Sequence, residues 1–431
     1  MTNQKLIQGR FCPRPAAWFL AGGLLALTRI SHAQEALRLS MSGDTAAAMQ
    51  QEANSSIGYY NLLMGPTAWH FSSGLGLEFN DNVRLEENGE SDLIIRPSVT
   101  TLMHWPLTLK NSLDVELGAG YSEYLQHPDL SQFFVNPGSG FSFNVYAGDF
   151  KINLHDRISI TEQAYENAGA SGANQNLESL QNTAGISTMW DLDQAVANAG
   201  YDHADYVSLT QNQGEPDASS ENIFANAGIR VRPQLLLGVE AGGSVITYSQ
   251  TTPAQASTTP DAVQWNAGAF GTAQISEYIS ARLDAGYTIY TPATTTTNLV
   301  ASDTSGFYLS LSLSHRVNQL LSYTLSAGHR TDLAAYGQPQ SYYFARIDPS
   351  WTVFQKYTVS TPLWWQQGTR IYNSTAGGAN YQQIGLGLTV GRSLTQKLSA
   401  TMAYQFVQET SNLRGLAYTV DIVDLNLIYQ F

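Results

Sequence analysis

Val423-Asp424-Leu425-Asn426-Leu427-Ile428-Tyr429-Gln430-Phe431 closes the chain, and its alternation decides the fold. Val423, Leu425, Leu427, Tyr429 and Phe431 fall on one face of an extended segment; Asp424, Asn426, Ile428 and Gln430 fall on the other. A period of two is that of a β-strand with one apolar and one mostly wet side. The pattern recurs upstream in Trp69, Phe71, Ser73, Leu75, Leu77, Phe79 and in Leu113, Val115, Leu117, Ala119, Tyr121. It recurs again in Phe307, Leu309, Leu311, Leu313 and in Ile384, Leu386, Leu388, Val390. Each run is about ten residues, enough for a tilted strand to cross a bilayer.

The connections alternate in length. Short ones fall at 106–111, 147–149, 191–194, 232–234, 276–278, 316–319, 354–356 and 392–397. Long ones fall between them, at 81–92, 127–132, 161–179, 211–220, 250–261, 292–305, 332–340, 368–378 and 410–415. The repeat unit is therefore a hairpin, and the count predicts an all-β, antiparallel up-and-down transmembrane β-barrel of about 18 strands. An even number puts both termini on the periplasmic side and the long loops outside the cell. A β-sandwich would need covered edges and would not alternate its loop lengths so regularly; a propeller would group strands in fours. A closed barrel removes every edge, which a sheet in lipid requires.

The other end of the chain agrees. Lys5, Arg10 and Arg14 precede an apolar run from Ala16 to Leu27, and Ser31-His32-Ala33 follows. This predicts a secretory signal peptide over residues 1–33. Its apolar run is too short for a spanning helix, which needs roughly 20 residues. The one cysteine, Cys12, lies within it, so no disulfide or thiolate chemistry is expected of the mature chain. Residues 34–66 read as a flexible periplasmic leader with a short helix near Thr45, and residues 67–431 as the barrel. The formal charge of −14 argues against nucleic acid as a partner. Charged residues are only 13% of the chain, about half the usual share for a soluble domain.

Parity assigns the faces. The apolar face should meet lipid, and aromatics near strand ends should sit at the membrane interfaces. Trp69, Trp105, Phe150, Trp190, Tyr357 and Phe431 are expected at the periplasmic interface, and Tyr121, Tyr201, Tyr248, Tyr287 and Trp365 at the outer one. Charges mark the other, pore-lining face: Arg96, His104, Asp114, Glu116, Lys151, His155, Arg157, Arg230, Glu240, Arg282, Asp284, Arg330, Arg346 and Asp348. An 18-strand interior is too wide to be filled by side chains, so an aqueous lumen is expected, its selectivity tuned by such charges. Arg and Asp on neighbouring strands could equally pair across the wall. Ser310, Ser312, Ser314, Ser322, Thr324 and Ser326 add neutral hydroxyls.

The sequence holds little catalytic signal. His155-Asp156 and Ser314-His315 are adjacent pairs, so each is split between opposite faces. His203 with Asp202 and Asp205 is a candidate metal cluster, and no cofactor is expected. Gly74, Gly76, Gly118, Gly120, Gly242 and Gly243 read as positions that ease barrel curvature. The acidic stretch Glu86, Glu87, Glu90, Asp92 reads as a solvated loop or a divalent-cation site.

GLGLEFNDNVRL from Gly74, LIIRPSV from Leu93, AGDFKINLHDRISI from Ala147, MWDLD from Met189 and GYDHADY from Gly200 resemble the β-barrel porin-2 family of outer-membrane proteins. That resemblance implies residence in the bacterial outer membrane among its lipids and lipopolysaccharide. The ending with Tyr429 and Phe431 is similar to the closing strand of such barrels, which implies recognition by the barrel assembly machinery. Relatives of the family are similar to pores of exopolysaccharide export systems, which implies polysaccharide passage with a periplasmic export protein as partner. A general diffusion porin for small hydrophilic solutes and a non-conducting surface barrel are the alternatives; no enzymatic activity is expected.

Overall fold

The structure, a computed structural model, describes residues 60–162, 178–209, 217–249, 261–292, 304–333, 339–354, 356–373, 377–412 and 416–431. Twenty-one strands form one continuous antiparallel sheet. Its first quarter holds β1 (Leu62–Met64), β2 (Thr67–Asn80), β3 (Asp92–Pro106), β4 (Ser112–Tyr124), β5 (Gln132–Val135) and β6 (Gly140–Ala147). There follow β7 (Phe150–Glu162), β8 (Glu178–Asp191), β9 (Ala195–Ser208), β10 (Asp217–Arg232), β11 (Leu235–Ser249), β12 (Ala262–Ser276) and β13 (Ile279–Pro292). The remainder comprises β14 (Thr304–Arg316), β15 (Leu321–Leu333), β16 (Pro339–Val353), β17 (Tyr357–Ser360), β18 (Leu363–Asn373), β19 (Gly377–Ser393), β20 (Leu398–Ser411) and β21 (Tyr418–Gln430).

The wall has 18 strands because two of them are interrupted and β1 is a rim strand. β5 and β6 both lie between β4 and β7. The break falls at Asn136-Pro137-Gly138-Ser139, where Pro137 has no N–H for the ladder. The displaced residues still satisfy the wall: Asn136 N–H donates to Gly118 O at 2.8 Å, and Ser139 Oγ accepts from Gly118 N–H at 2.9 Å. β17 and β18 likewise share the gap between β16 and β19, with Pro362 at the break.

β21 pairs along β2 from Ser72↔Gln430 to Asn80↔Ile422 and closes the cylinder. Below the end of β21, β1 takes over the pairing, with Leu62↔Trp69 and Met64↔Thr67. Residues 60–66, the described end of the expected 34–66 leader, form a short strand and turn; β21 stops short of the lower end of β2, and β1 takes the backbone groups left there. The predicted signal peptide and residues 34–59 lie outside the described residues.

Alternation of exposure separates the two faces. Leu75, Leu77 and Phe79 are exposed while Glu78 and Asn80 between them are buried. The exposed apolar row continues through Leu117, Ile186, Val239, Leu283, Leu311, Leu386 and Leu425. A closed sheet that turns leucines outward and carboxylates inward is built for lipid, and the molecule is an integral outer-membrane barrel. Trp105, Phe150, Trp190 and Phe431 stand exposed on the outward face at the short-turn end, with Phe150 stacked on Trp190 at 5.1 Å. Trp69 and Tyr357 share their parity and end.

Tyr121, Tyr201 and Tyr287 also point outward, and Trp365 has the outward parity. Tyr248 does not. It pairs with Ala218 in the even, inward register of β11 and is buried with Ile246, Ala262 and Tyr290. One-residue parity, not nearness to a loop, fixed its face.

Candidate functional site: the inner wall and its mouth

Register places all fourteen charged candidates on the inward face of the sheet. Arg96 pairs with Glu78 on β2, and Arg96 Nε donates to Ser122 Oγ at 3.2 Å. His104 Nδ1 lies 2.5 Å from Asp114 Oδ1 across β3 and β4. Glu116 and Lys151 occupy inward positions on β4 and β7, and Arg157 pairs in register with Gly140. Arg230 sits at the short-turn end, where its guanidinium donates to both oxygens of Asp191 at 2.8 and 2.9 Å. Arg282 binds Asp284 and Arg346 binds Asp348, each along its own strand. The expectation of cross-strand Arg–Asp pairing fails there: residues i and i+2 share a face, and the guanidinium reaches its own neighbour first. Arg282, Arg330 and Arg346 each lie over an inward ring, Phe270 at 5.1 Å, Phe344 at 4.8 Å and Trp364 at 5.7 Å.

Two such links run over inward glycines of the intervening strands. His155, Gly185 and Asp202 lie in one register row on β7, β8 and β9. His155 Nε2 reaches Asp202 Oδ1 at 2.9 Å over Gly185, where any Cβ would collide with that carboxylate. Glu240, Gly268, Gly286 and Tyr308 form the second row, on β11 to β14. Tyr308 Oη donates to Glu240 Oε1 at 2.6 Å across both glycines. These inward glycines leave room for a neighbour's side chain; curvature alone does not explain them. Gly118 lies under Asn136 and Gly120 under Phe134. Gly243 is the outward case, beneath Trp265.

His203, Asp202 and Asp205 do not form a metal centre. Asp202 points inward, while His203 and Asp205 point outward. His203 Nδ1 lies 2.9 Å from Glu221 Oε1 and Nε2 lies 3.1 Å from Asp205 Oδ2, so its two nitrogens are spent on opposite sides. Tyr201 Oη also donates to Glu221, making a polar cluster on the outward face. Ser314 faces inward, with Oγ 3.2 Å from Thr324 Oγ1, while His315 contacts Tyr323 outside. The six inward hydroxyls of β14 and β15 lie in adjacent rows.

The mouth at the long-loop end is shaped by two segments. The 81–91 connection folds inward, so that Leu85, only 1% exposed, packs on the inward residues Val407, Tyr418, Val420 and Ile422. Val83 packs on Ile94, Tyr124 and Leu130, and Leu130 belongs to the 125–131 connection. Asn82 anchors the fold-in: Nδ2 donates to Glu86 O at 2.8 Å and Thr419 O at 2.9 Å, and Oδ1 accepts from Glu86 N–H at 3.0 Å.

Asp92, fully buried, clasps the second segment, accepting from Gln126 N–H and His127 N–H at 2.9 Å each. His127 Nδ1 lies 2.9 Å from Asp92 and Nε2 lies 3.0 Å from Glu90. Arg84 completes the clasp, 2.9 Å from Asp129 and 3.5 Å from Glu90. Arg84 holds the Asp129 carboxyl below the usual carboxylate range, and Asp129 raises the Arg84 guanidinium in turn. The acidic stretch is thus structured, and the alternation of Val83 and Leu85 just before it is the sequence signal of an inward fold.

No family model matches the chain, and no curated protein matches it. Solved structures do. Pseudomonas aeruginosa OccK5 (OpdH) superposes with a TM-score of 0.50 at 10% identity, over 85% of this chain and 99% of that one. Acinetobacter baumannii OccAB3 gives 0.49 at 10% identity, over 85% and 100%, and Pseudomonas aeruginosa OccD3 (OpdP) gives 0.48 at 12%, over 86% and 92%. All three are outer-membrane porins, and at such identity the likeness is one of fold: a porin-type barrel.

Proposed function

We propose that this porin-type barrel passes small hydrophilic solutes across the outer membrane. The observation that carries the reading is the combination of an 18-strand closed wall whose inward face carries polar and charged side chains with an 81–91 segment packed against that face at the mouth. The fourteen inward charges and the hydroxyls of β14 and β15 offer a solute hydrogen bonds in place of water. Most of the charges are already engaged with wall partners, so they set a field more than they bind.

Polysaccharide export, implied by the sequence resemblance, gains no support: no family model carries it, and the similar solved structures are porins. An inward-packed segment at the mouth also favours small solutes over a polymer. The test is reconstitution in planar bilayers and in liposomes. Stable ion conductance with swelling by monosaccharides and not by long oligosaccharides is expected. A barrel that conducts nothing is a surface or structural protein, and one that passes only long glycans when joined by a periplasmic protein is an exporter; either result sinks the proposal.

A further inference from the structure

The short-turn rim is not uniform in charge. On the arc from β6 to β13 its turns carry Asp149, Asp191, Asp193 and Glu277 against Arg230 and Arg232. The neighbouring turns 354–356 and 394–397, between β16 and β20, carry Lys356 and Lys397 and no aspartate or glutamate. Arg392 lies between them at the end of β19, in register with Tyr357 on one side and Ala400 on the other. Its parity is that of Leu386 and Leu388, so it faces lipid, unlike the arginines of the inner wall. The guanidinium is exposed yet fixed: Nη1 donates to Tyr357 Oη at 2.7 Å, and Cζ stands 4.9 Å over the Tyr357 ring. Tyr357 accepts from a single nitrogen, so the planar fork keeps donors for a phosphate. The face beside it is small and then apolar. Ala400 is its neighbour on β20, and Trp351 and Met402 stand exposed one row further into the bilayer. Phe354 marks the same place. It is 83% exposed and holds a φ of 52°, the left-handed region that a bulky side chain enters at a cost. Burial does not account for that conformation, because most of the residue's surface lies outside the protein. An aromatic anchor at the membrane interface does account for it.

We propose that this arc is a docking site for an anionic phospholipid of the periplasmic leaflet. Arg392 takes the phosphate, Lys356 and Lys397 flank it from the two turns, and an acyl chain runs over Ala400 beside Met402. Basic side chains next to exposed aromatics at the edge of a bilayer attract anionic headgroups. A zwitterionic headgroup brings an ammonium of its own to the same cations and gains less. An acidic protein would meet the turn tips alone, whereas the lipid-facing Arg392 and the apolar strip beside it fit a molecule with a charged head and a greasy tail. The site depends on residence in the outer membrane and not on conduction, so it stands or falls apart from the pore reading.

Native mass spectrometry of the full, detergent-solubilised barrel reads the site directly. Offered phosphatidylglycerol and phosphatidylethanolamine with identical acyl chains, the barrel should retain phosphatidylglycerol in preference, and the preference should fall as salt rises. Lys356→Gln, in an exposed turn, should weaken retention about fivefold, the scale of one cation at an anionic surface. Arg392→Gln should weaken it at least as much, with heat-modifiable gel mobility as the check on its fold. Arg232→Gln, in a turn of the acidic arc, should change nothing, which separates a local site from general attraction. Equal retention of the two lipids, an equal loss in Arg232→Gln, or unchanged retention in Lys356→Gln and Arg392→Gln overturns the proposal. Displacement of the lipid by a polyglutamate peptide would make the arc a protein dock, and displacement by inorganic phosphate alone would make it a simple anion site; either result overturns it too.

Discussion

Asp92 ties the 125–131 segment of the mouth to the wall. It is the first residue of β3 and has no solvent contact, yet it receives the backbone of Gln126 and His127 and one ring nitrogen of His127. Asp92→Ala removes the acceptor and leaves those buried donors unmatched, at a cost of about 1–3 kcal/mol. That loss falls on the clasp and not on the wall, because β3 pairs with β2 from Asp92↔Asn80 through backbone bonds alone. Limited proteolysis of the intact barrel should therefore show new cleavage within 81–91 and 125–131, with heat-modifiable mobility preserved. The companion ion pair has a pH signature. Arg84 holds the Asp129 carboxyl below its ordinary range, so the pair contributes above that range and is lost as pH falls through the depressed value. Asp129 is 63% exposed, so the contribution is small and screened by salt. Protease sensitivity of the two segments should stay flat from pH 8 to 5 and rise only below about pH 4. Asp129→Asn should abolish that rise, and a rise already present at pH 6 would exclude this pair as its cause.

On the element scale, strand parity was legible because lipid demands it. Leu75, Leu77 and Phe79, or Leu309, Leu311 and Leu313, can face lipid in one register only, and one slip would expose Glu78 or Ser310 there. All fourteen charged candidates therefore landed on the inward face. Their partners were not legible, because pairing depends on the lateral register between strands and on what lies between. His155 and Asp202 are 47 residues apart and meet only because Gly185 separates them without a side chain. The breaks at Pro137 and Pro362 are not legible either. A proline in a strand announces an irregularity, but not that the strand resumes on its far side. The row Glu240–Gly268–Gly286–Tyr308 gives a direct test. Gly286→Val places a branched side chain where the Tyr308 phenol crosses, costing roughly 1–3 kcal/mol by overpacking and breaking the bond to Glu240. The variant should lose its heat-modifiable shift at a lower temperature than wild type. Tyr308→Phe, which loses the bond and keeps the ring, should fall between them. Equal stability of all three would mean that the row carries no load.

The whole molecule divides into a wall that holds itself and a mouth that is added to it. Closure through β2 and β21, continued at the rim by β1, uses backbone pairs that make no reference to any loop. The inward 81–91 segment, in contrast, is held by side chains: Leu85 and Val83 against the inner wall, Asn82 against Thr419, and Arg84 against the second connection. Replacing residues 82–90 by a short Gly-Ser linker should then leave the barrel folded. Connections of this kind tolerate replacement when the elements they join are fixed independently. The mouth, however, would lose the packed segment and the carboxylates of Glu86, Glu87 and Glu90. Single-channel conductance should rise, and preference for cations over anions, read from the reversal potential in a salt gradient, should fall toward that of the inner wall. Because the wall charges remain, some selectivity must persist; its complete loss would place the whole filter in the loop. Unchanged conductance in a folded variant with the linker would show that the narrowest passage lies deeper, beside the inward arginines Arg282, Arg330 and Arg346, and would move the search for solute selectivity from the mouth to them.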